Sequence, residues 1–107
     1  MYQYKARIVN IVDGDTVDAE VDLGFRLTAK LRLRLLGINA PEMRSKDEAR
    51  CLKALEARST LSALILEATV VIETQKPDAF GRYLANIWLR DININEEMIR
   101  LGMAEAY

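Results

Sequence analysis

The sequence predicts a small α+β domain in which a closed β-sheet is accompanied by two helices. A segment rich in β-branched residues is followed by two segments that alternate apolar and polar residues, as strands with one buried face do. Apolar residues then recur at helical spacing for about twenty residues, and two further strand-like segments and a short helical segment follow. Three strands, a helix, two strands and a last helix is the element order of the five-stranded OB-fold barrel. The chain of 107 residues has room for one core, so residues 1–107 are expected to form a single domain.

The first two strands are predicted on either side of a tight turn. Residues 4–12 are rich in β-branched side chains, which favour strands, and Asp13-Gly14-Asp15 is a typical hairpin turn. The next strand alternates, which indicates that one of its faces is buried. Its expected buried residues are Val17, Ala19, Val21 and Leu23. Gly24 then permits a second turn near Phe25.

The third strand, residues 29–36, alternates as plainly as the second. Lys30, Arg32 and Arg34 share the face opposite the apolar residues, because successive side chains of a strand point to opposite sides. Three strands joined by short turns form a meander with one buried side.

The third strand runs into a stiff corner that concentrates the chain's chemistry. Gly37 permits a turn that other residues resist, and Pro41 fixes its own φ and holds Ala40 extended. Arg34 precedes the bend and Glu42 follows it. A guanidinium and a carboxylate on rigid backbone suit work on a phosphate, although a charged strand face and an ordinary turn explain the same residues.

A helix is predicted after this corner, over residues 46–66, although the part before about Glu56 also fits a loop. Ser45 and Glu48 have capping-box spacing, and the apolar residues that follow recur at helical intervals. Those residues are Leu52, Leu55, Leu61, Leu64 and Ile65.

The remaining elements complete the order of a barrel. Residues 69–75 and 82–90 are predicted as strands on either side of a loop at 76–81. Asn95 is expected to cap a short helix over residues 96–101, which carries acidic residues in its first turn and ends before a glycine.

The composition excludes several kinds of catalytic site. The chain has no histidine and a single cysteine, Cys51, which excludes Ser-His and Cys-His nucleophiles and any histidine ligand for zinc. Proton transfer by this chain would therefore fall to Asp or Glu, and charge stabilisation to Arg, Lys or a bound cation.

The net charge of −1 conceals an uneven distribution. Residues 26–58 carry nine basic and four acidic side chains, whereas the segments on both sides are acidic. The basic segment surrounds the corner between Arg34 and Glu42, which supports work on a phosphate there, although a run of charges more often only solvates a surface. No apolar run is long enough to span a membrane and no signal-peptide core opens the chain, so a cytoplasmic location is expected.

Four motifs together resemble the staphylococcal nuclease (thermonuclease) family over residues 5–107. They occur in the family's order, and their residues are Asp13-Gly14-Asp15-Thr16, Arg34 to Glu42, Asp78 to Arg82, and Asn95 to Ala104. Any one of them is weak evidence, but all four on the expected elements are a strong signal.

The resemblance implies an OB-type barrel and calcium-dependent hydrolysis of phosphodiester bonds in DNA and RNA. Position by position, Arg34 and Arg82 match the family's phosphate-binding arginines, and Glu42 its proposed general base. Asp15 matches a calcium-ligating aspartate. Asn39 and the backbone carbonyl of Ala40 stand where the family supplies its other protein ligands.

This sequence departs from the family pattern around the expected site. Asn39 stands where the family commonly has aspartate, so one negative charge is lost and weak calcium binding, in the millimolar range, is expected. Ala79 and Phe80 replace a lysine and a tyrosine that help to hold the nucleotide, although Phe80 can still stack on a base. Tyr107 lies close to the position of nucleotide-contacting tyrosines, where this chain ends.

Three functions therefore compete. The first is a calcium-dependent nuclease acting on DNA or RNA. The second is a catalytically inactive OB-fold module that binds nucleic acid or protein, and the third is a structural domain of a larger chain. Retention of Arg34, Glu42 and Arg82 favours the nuclease, whereas Asn39 and Ala79 favour the inactive module. The oligomeric state does not follow from the sequence.

Overall fold

The structure is a computed structural model that describes residues 2–42, 46–77 and 83–107. Within these ranges the chain forms a series of strands and two helices. In chain order they are β1 (Tyr2–Asp13), β2 (Thr16–Gly24), β3 (Leu27–Leu35), β4 (Ile38–Asn39), α1 (Glu48–Ile65), β5 (Thr69–Pro77), β6 (Tyr83–Leu89), β7 (Ile92–Asn93), α2 (Ile94–Arg100) and β8 (Glu105–Ala106).

Five of these strands close into a barrel. Antiparallel pairs join β3 to β2, β2 to β1, β1 to β5 and β5 to β6. The barrel closes through a parallel pairing of β3 with β6, in which Leu33 lies opposite Tyr83 and Leu35 opposite Ala85. With α1 between β3 and β5 and α2 near the end of the chain, the predicted five-stranded OB-fold is confirmed. Closure matters for the site because it holds the end of β3 beside the start of β6.

The core fills the barrel with the apolar faces that the alternation predicted. Val17, Ala19 and Val21 of β2 are buried, as are Leu33 and Leu35 of β3. Helix α1 packs against β1 and adds a stripe of small and aliphatic residues at helical spacing to the buried interior. The stripe consists of Ala54, Ala57, Leu61 and Ile65. Leu23 is exposed, contrary to expectation, since the β2–β3 hairpin extends past the other strands to a turn where Phe25 is 98% exposed.

Several predicted boundaries shift by a few residues. Helix α1 runs over residues 48–65 rather than 46–66, and its N-cap is Asp47, whose side chain accepts from the N–H of Ala49. Ser45, the predicted cap, lies outside the described residues, as does the predicted loop from residue 78 onward. The loop's first two residues instead extend β5.

The predicted cap of the second helix is wrong. Helix α2 begins at Ile94, and the side chain of Asn93 accepts from the N–H of Glu96 as its cap. Asn95 lies inside the helix and is buried.

The two-residue strands β4, β7 and β8 were not predicted, because so short a segment carries no periodic pattern.

Neither helix in the described ranges combines the length and the apolar character that crossing a bilayer requires.

Candidate functional site

The turn between β1 and β2 buries one carboxylate beside the corner after β3. The Asp15 side chain is only 7% exposed. Its Oδ1 accepts from the hydroxyl of Thr16 at 3.0 Å, and its Oδ2 accepts from the backbone N–H of Ala40 at 2.8 Å. A buried carboxylate needs such donors, because an unpaired charge in the interior is costly. Thr16 therefore orients Asp15, a role that its place in the Asp13–Thr16 motif did not reveal.

A glycine allows this turn to sit against the helix. A Cβ placed on Gly14 would lie 2.7 Å from Cβ of Ala57 and 3.0 Å from Cβ of Ala40. Real Cβ atoms essentially never approach so closely. The absence of a side chain at position 14 thus lets α1, the turn and the corner pack together around Asp15.

The guanidinium of Arg34 lies against the oxygens of this corner. Its Nη2 is 3.3 Å from Oδ2 of Asp15 and donates to Oδ1 of Asn39 at 3.3 Å. Its Nη1 donates to the backbone carbonyl of Leu35 at 3.0 Å. The Arg34 side chain is 13% exposed. Four residues predicted to belong to the site, Asp15, Arg34, Asn39 and Ala40, are therefore brought together.

Arg32, two residues earlier on the same strand face, has a different environment. Its side chain is 53% exposed and pairs with Asp18 on β2 at 2.8 Å. The hydrogen bond from Arg32 lowers the pKa of the Asp18 carboxyl below its ordinary value. The alternation of the strand predicted both arginines on one face, but only Arg34 contacts Asp15 and Asn39 at the corner.

Backbone pairing fixes the position of Arg34 relative to Asp15. Thr16 lies opposite Arg34 in the β2–β3 register, and the N–H of Leu35 donates to the carbonyl of Asp15 at 2.8 Å. After β3 the chain turns at Gly37, whose φ of +79° is in the region that glycine adopts without strain. Both sides of the carboxylate–guanidinium pair are thus held by main-chain hydrogen bonds.

Strand β8 and Tyr107 also form hydrogen bonds with the corner. Ile38 and Asn39 of β4 pair with β8, and the N–H of Tyr107 donates to the carbonyl of Gly37 at 2.9 Å. The Tyr107 residue is 88% exposed. Tyr107 therefore lies next to the site, as expected for a substrate-contacting residue, although its role remains a prediction.

Asn95 supports the corner from inside the molecule. Its Nδ2 donates to the carbonyls of Leu36 at 2.8 Å and Ala85 at 3.0 Å, and its Oδ1 accepts from the N–H of Ile87 at 3.1 Å. One buried amide thus joins α2 to β6 and to the residue before Gly37. Sequence reasoning missed this role because an asparagine near the start of a helix fits a helix cap and a buried hydrogen-bonding side chain equally well.

The remaining predicted site residues are only partly located. Glu42 is exposed and follows Ala40 by two residues, so it lies just beyond the corner. Phe80 and Arg82 lie outside the described residues. Their predicted roles, stacking on a base and binding phosphate, remain predictions.

The donor atoms at the corner fit calcium in type but carry little charge. Asp15 offers a carboxylate, Asn39 an amide oxygen and Ala40 a backbone carbonyl, and calcium prefers oxygen ligands of these kinds. Among the described residues, no three Asp, Glu, Cys or His side chains form a group that could hold a metal ion. One carboxylate with two neutral oxygens favours weak binding.

A groove of about 330 Å³ adjoins the corner. Asn39, Ala40 and Pro41 form one wall, Arg50 and Lys53 of α1 form another, and the turn before β8 closes the end. A larger groove of about 550 Å³ between β1 and α1 contains none of the predicted site residues. Glu56 and Glu105 line the same groove, so its two basic and two acidic side chains balance in formal charge.

Comparison with known proteins points to one group of nucleases. A family profile described as "Staphylococcal nuclease homologue" matches residues 32–107. The chain is 31% identical to the protein ParB of Escherichia coli over 98% of its own length and 58% of that protein. It is 35% identical to an "uncharacterized endonuclease" of Haemophilus influenzae, over 94% of its own length and 51% of that protein. It is 26% identical to the thermonuclease of Staphylococcus hyicus, over 94% and 57%. The chain thus spans little more than half the length of these relatives.

Proposed function

Because the chain belongs to the staphylococcal nuclease homologue family, we propose that it hydrolyses phosphodiester bonds of DNA or RNA with the help of calcium. The predicted resemblance to this family is confirmed by the family match over residues 32–107. The observation that carries the proposal is the gathering of Arg34, Asp15, Asn39 and Ala40 at one corner. These are the residues that the resemblance assigns to phosphate and metal.

Arg34 is the proposed ligand of the scissile phosphate. A phosphodiester under attack gathers negative charge on its equatorial oxygens, and a planar guanidinium can bind two of them at once. The Arg34 guanidinium lies at the corner, where it donates to Asn39 and to the Leu35 carbonyl, so it stands beside the proposed metal ligands. Arg82 is the proposed second phosphate ligand.

Glu42 is the proposed general base. It takes a proton from the attacking water, a role that typically contributes about 10²–10⁴ in rate. Its exposed position beyond the Pro41 bend leaves it accessible to water. Bound calcium, held by Asp15, Asn39 and the Ala40 carbonyl, would supply positive charge beside the phosphate.

The nucleic-acid strand is proposed to extend from the corner toward Tyr107 in one direction and toward the adjoining groove in the other. The backbone of Tyr107 bonds to Gly37 and the residue is exposed, so its ring is a proposed stacking surface, and base stacking on such rings tolerates any sequence. Arg50 and Lys53 line the adjoining groove together with Glu56 and Glu105, and the two basic side chains are the proposed contacts to the phosphates of neighbouring nucleotides. Phe80 is a further proposed stacking residue.

A cleavage assay with a matched variant tests the proposal. Purified protein is incubated with single-stranded DNA, duplex DNA and RNA, each in calcium and in EDTA, and Glu42→Gln is treated identically. We expect cleavage in calcium and none in EDTA, with the variant slower by about 10²–10⁴ and equally stable because Glu42 is exposed. Absence of cleavage on every substrate, or full activity of Glu42→Gln, would contradict the proposal.

One observation favours the inactive binding module as a second candidate. Asn39 removes a carboxylate from the expected metal ligands, and Arg34 already engages Asp15 and Asn39. A module of this kind would bind single-stranded nucleic acid without cutting it. Binding without cleavage in calcium, weakened by Arg34→Ala, would establish it in place of the nuclease.

A further inference from the structure

Arg34 contacts two of the oxygens that calcium would need. Its Nη2 lies 3.3 Å from Oδ2 of Asp15 and 3.3 Å from Oδ1 of Asn39. The Ala40 residue, whose carbonyl is the third proposed ligand, donates its N–H to the same Oδ2. A cation bound to these atoms would therefore stand within a few ångströms of a guanidinium.

The charge of the corner makes this overlap significant. Asp15 carries one negative charge, Asn39 none, and Arg34 one positive charge, so the three side chains together are neutral. The Asp15 and Arg34 side chains are 7% and 13% exposed, so water screens them poorly and like charges repel strongly. A carboxylate at position 39 would add a second negative charge, but in this chain the single carboxylate of Asp15 has to serve both the arginine and the metal.

We propose that Arg34 and calcium compete for Asp15 and Asn39, so that the metal binds only when Arg34 leaves these oxygens. The inference rests on the proposed function in one respect, the identity of the cation. Leaving Asp15 costs Arg34 its charged partner, and this cost lowers the affinity for calcium. The guanidinium that turns away is then able to meet a phosphate.

The structure offers a matched pair of arginines for the test. Arg34 and Arg32 lie two residues apart on one face of β3, but Arg32 pairs with Asp18 instead of Asp15. Replacing either by glutamine removes one positive charge from the same strand face. Any general effect of net charge on calcium binding is therefore shared, and only Arg34→Gln removes the competitor.

Calcium alone is titrated calorimetrically into the wild type, Arg34→Gln and Arg32→Gln, without nucleic acid. We expect Arg34→Gln to bind calcium about tenfold more tightly, the size of effect a nearby like charge has on a neighbouring charged group. Arg32→Gln should match the wild type. Equal or weaker binding by Arg34→Gln, or no binding by it, would overturn the inference. This readout is independent of cleavage, so an inactive protein can still give the expected result.

A second measurement uses the wild type and does not depend on how a variant folds. The arginine guanidinium Nη–H resonances of ¹⁵N-labelled protein are followed while calcium is added, because Arg34 contacts the corner through Nη1 and Nη2, and their hydrogen exchange with water is measured. We expect exchange at Arg34 to accelerate as calcium binds, while exchange at Arg32 stays unchanged. Continued protection of Arg34 at saturating calcium would overturn the inference.

Discussion

The backbone N–H of Ala40 donates to Oδ2 of Asp15 at 2.8 Å, across 25 positions of the sequence. This hydrogen bond joins the turn before β2 to the corner after β3. It also brings two proposed metal ligands, Asp15 and Ala40, next to each other. The same carboxylate accepts from Thr16 and pairs with Arg34, so the corner depends on one side chain.

Replacing that side chain should therefore destabilise the whole corner. Asp15→Ala leaves the Ala40 N–H and the Arg34 guanidinium without their shared acceptor, and we expect a loss of about 3 kcal/mol in the free energy of unfolding. Urea denaturation measures it. Asp18→Ala, which breaks the exposed pair with Arg32, should cost less than about 1 kcal/mol. Equal costs for the two variants would contradict the central position of Asp15.

The assignment of Asn93 and Asn95 can be tested in the same way. Asn95→Ala leaves the carbonyls of Leu36 and Ala85 and the N–H of Ile87 without a side-chain partner, so we expect a loss of about 3 kcal/mol. Asn93→Ala removes only the helix cap and should cost about 1 kcal/mol. Thermal unfolding ranks the two variants, and a larger loss for Asn93→Ala would reverse the assignment.

The turn of the β2–β3 hairpin has a backbone conformation that its two central residues adopt only at a cost in free energy. Phe25 and Arg26 both have positive φ, 54° and 63°, as a two-residue type I′ turn requires, whereas Asn-Gly is the favoured sequence. The double variant Phe25→Asn, Arg26→Gly should raise the free energy of unfolding by about 1 kcal/mol. Phe25→Ala is the control, because it removes the exposed ring but keeps the left-handed backbone. A double variant no more stable than Phe25→Ala would refute this account.

The Arg32–Asp18 pair should give the stability a dependence on pH. The pKa of Asp18 is lowered in the folded state by its hydrogen bond from Arg32, so the ionised carboxylate stabilises the fold above its ordinary pKa. That contribution is lost as the pH falls from the ordinary value toward the lower folded one. Asp18→Asn should be less stable than the wild type near neutral pH, by less than about 1 kcal/mol. Urea denaturation at a series of pH values should find that the difference disappears in acid, and a constant difference would contradict this.

Much of the fold could be predicted because its signals are local. Alternation in β2 and β3 identified five buried residues, and helical spacing located α1 within two residues of each end. The five are Val17, Ala19, Val21, Leu33 and Leu35. The closure of β3 on β6 followed only from the order of the elements. The β4–β8 pair could not be predicted, since two short segments far apart in the chain carry no pattern of their own.

The site was predicted from motifs, whereas its internal contacts were not. Alternation treats Arg32 and Arg34 alike, and only the fold of residues 37–40 over β3 buries one and leaves the other in solvent. The roles of Thr16 and Asn95 depend on hydrogen bonds to the corner that no spacing encodes. The family resemblance predicted which residues belong to the site, and the structure shows that Arg34 and Ala40 both contact Asp15.

The same two arginines give the most direct test of the proposed active site. Cleavage of single-stranded DNA in calcium is measured for Arg34→Ala and Arg32→Ala after both variants have been found folded by circular dichroism. An arginine that stabilises a transferring phosphoryl group is worth roughly 10³ or more in rate, so Arg34→Ala should lose about that much and Arg32→Ala nothing. Equal rates for the two variants would contradict the claim that the corner of Arg34, Asp15, Asn39 and Ala40 is where the phosphodiester is cut.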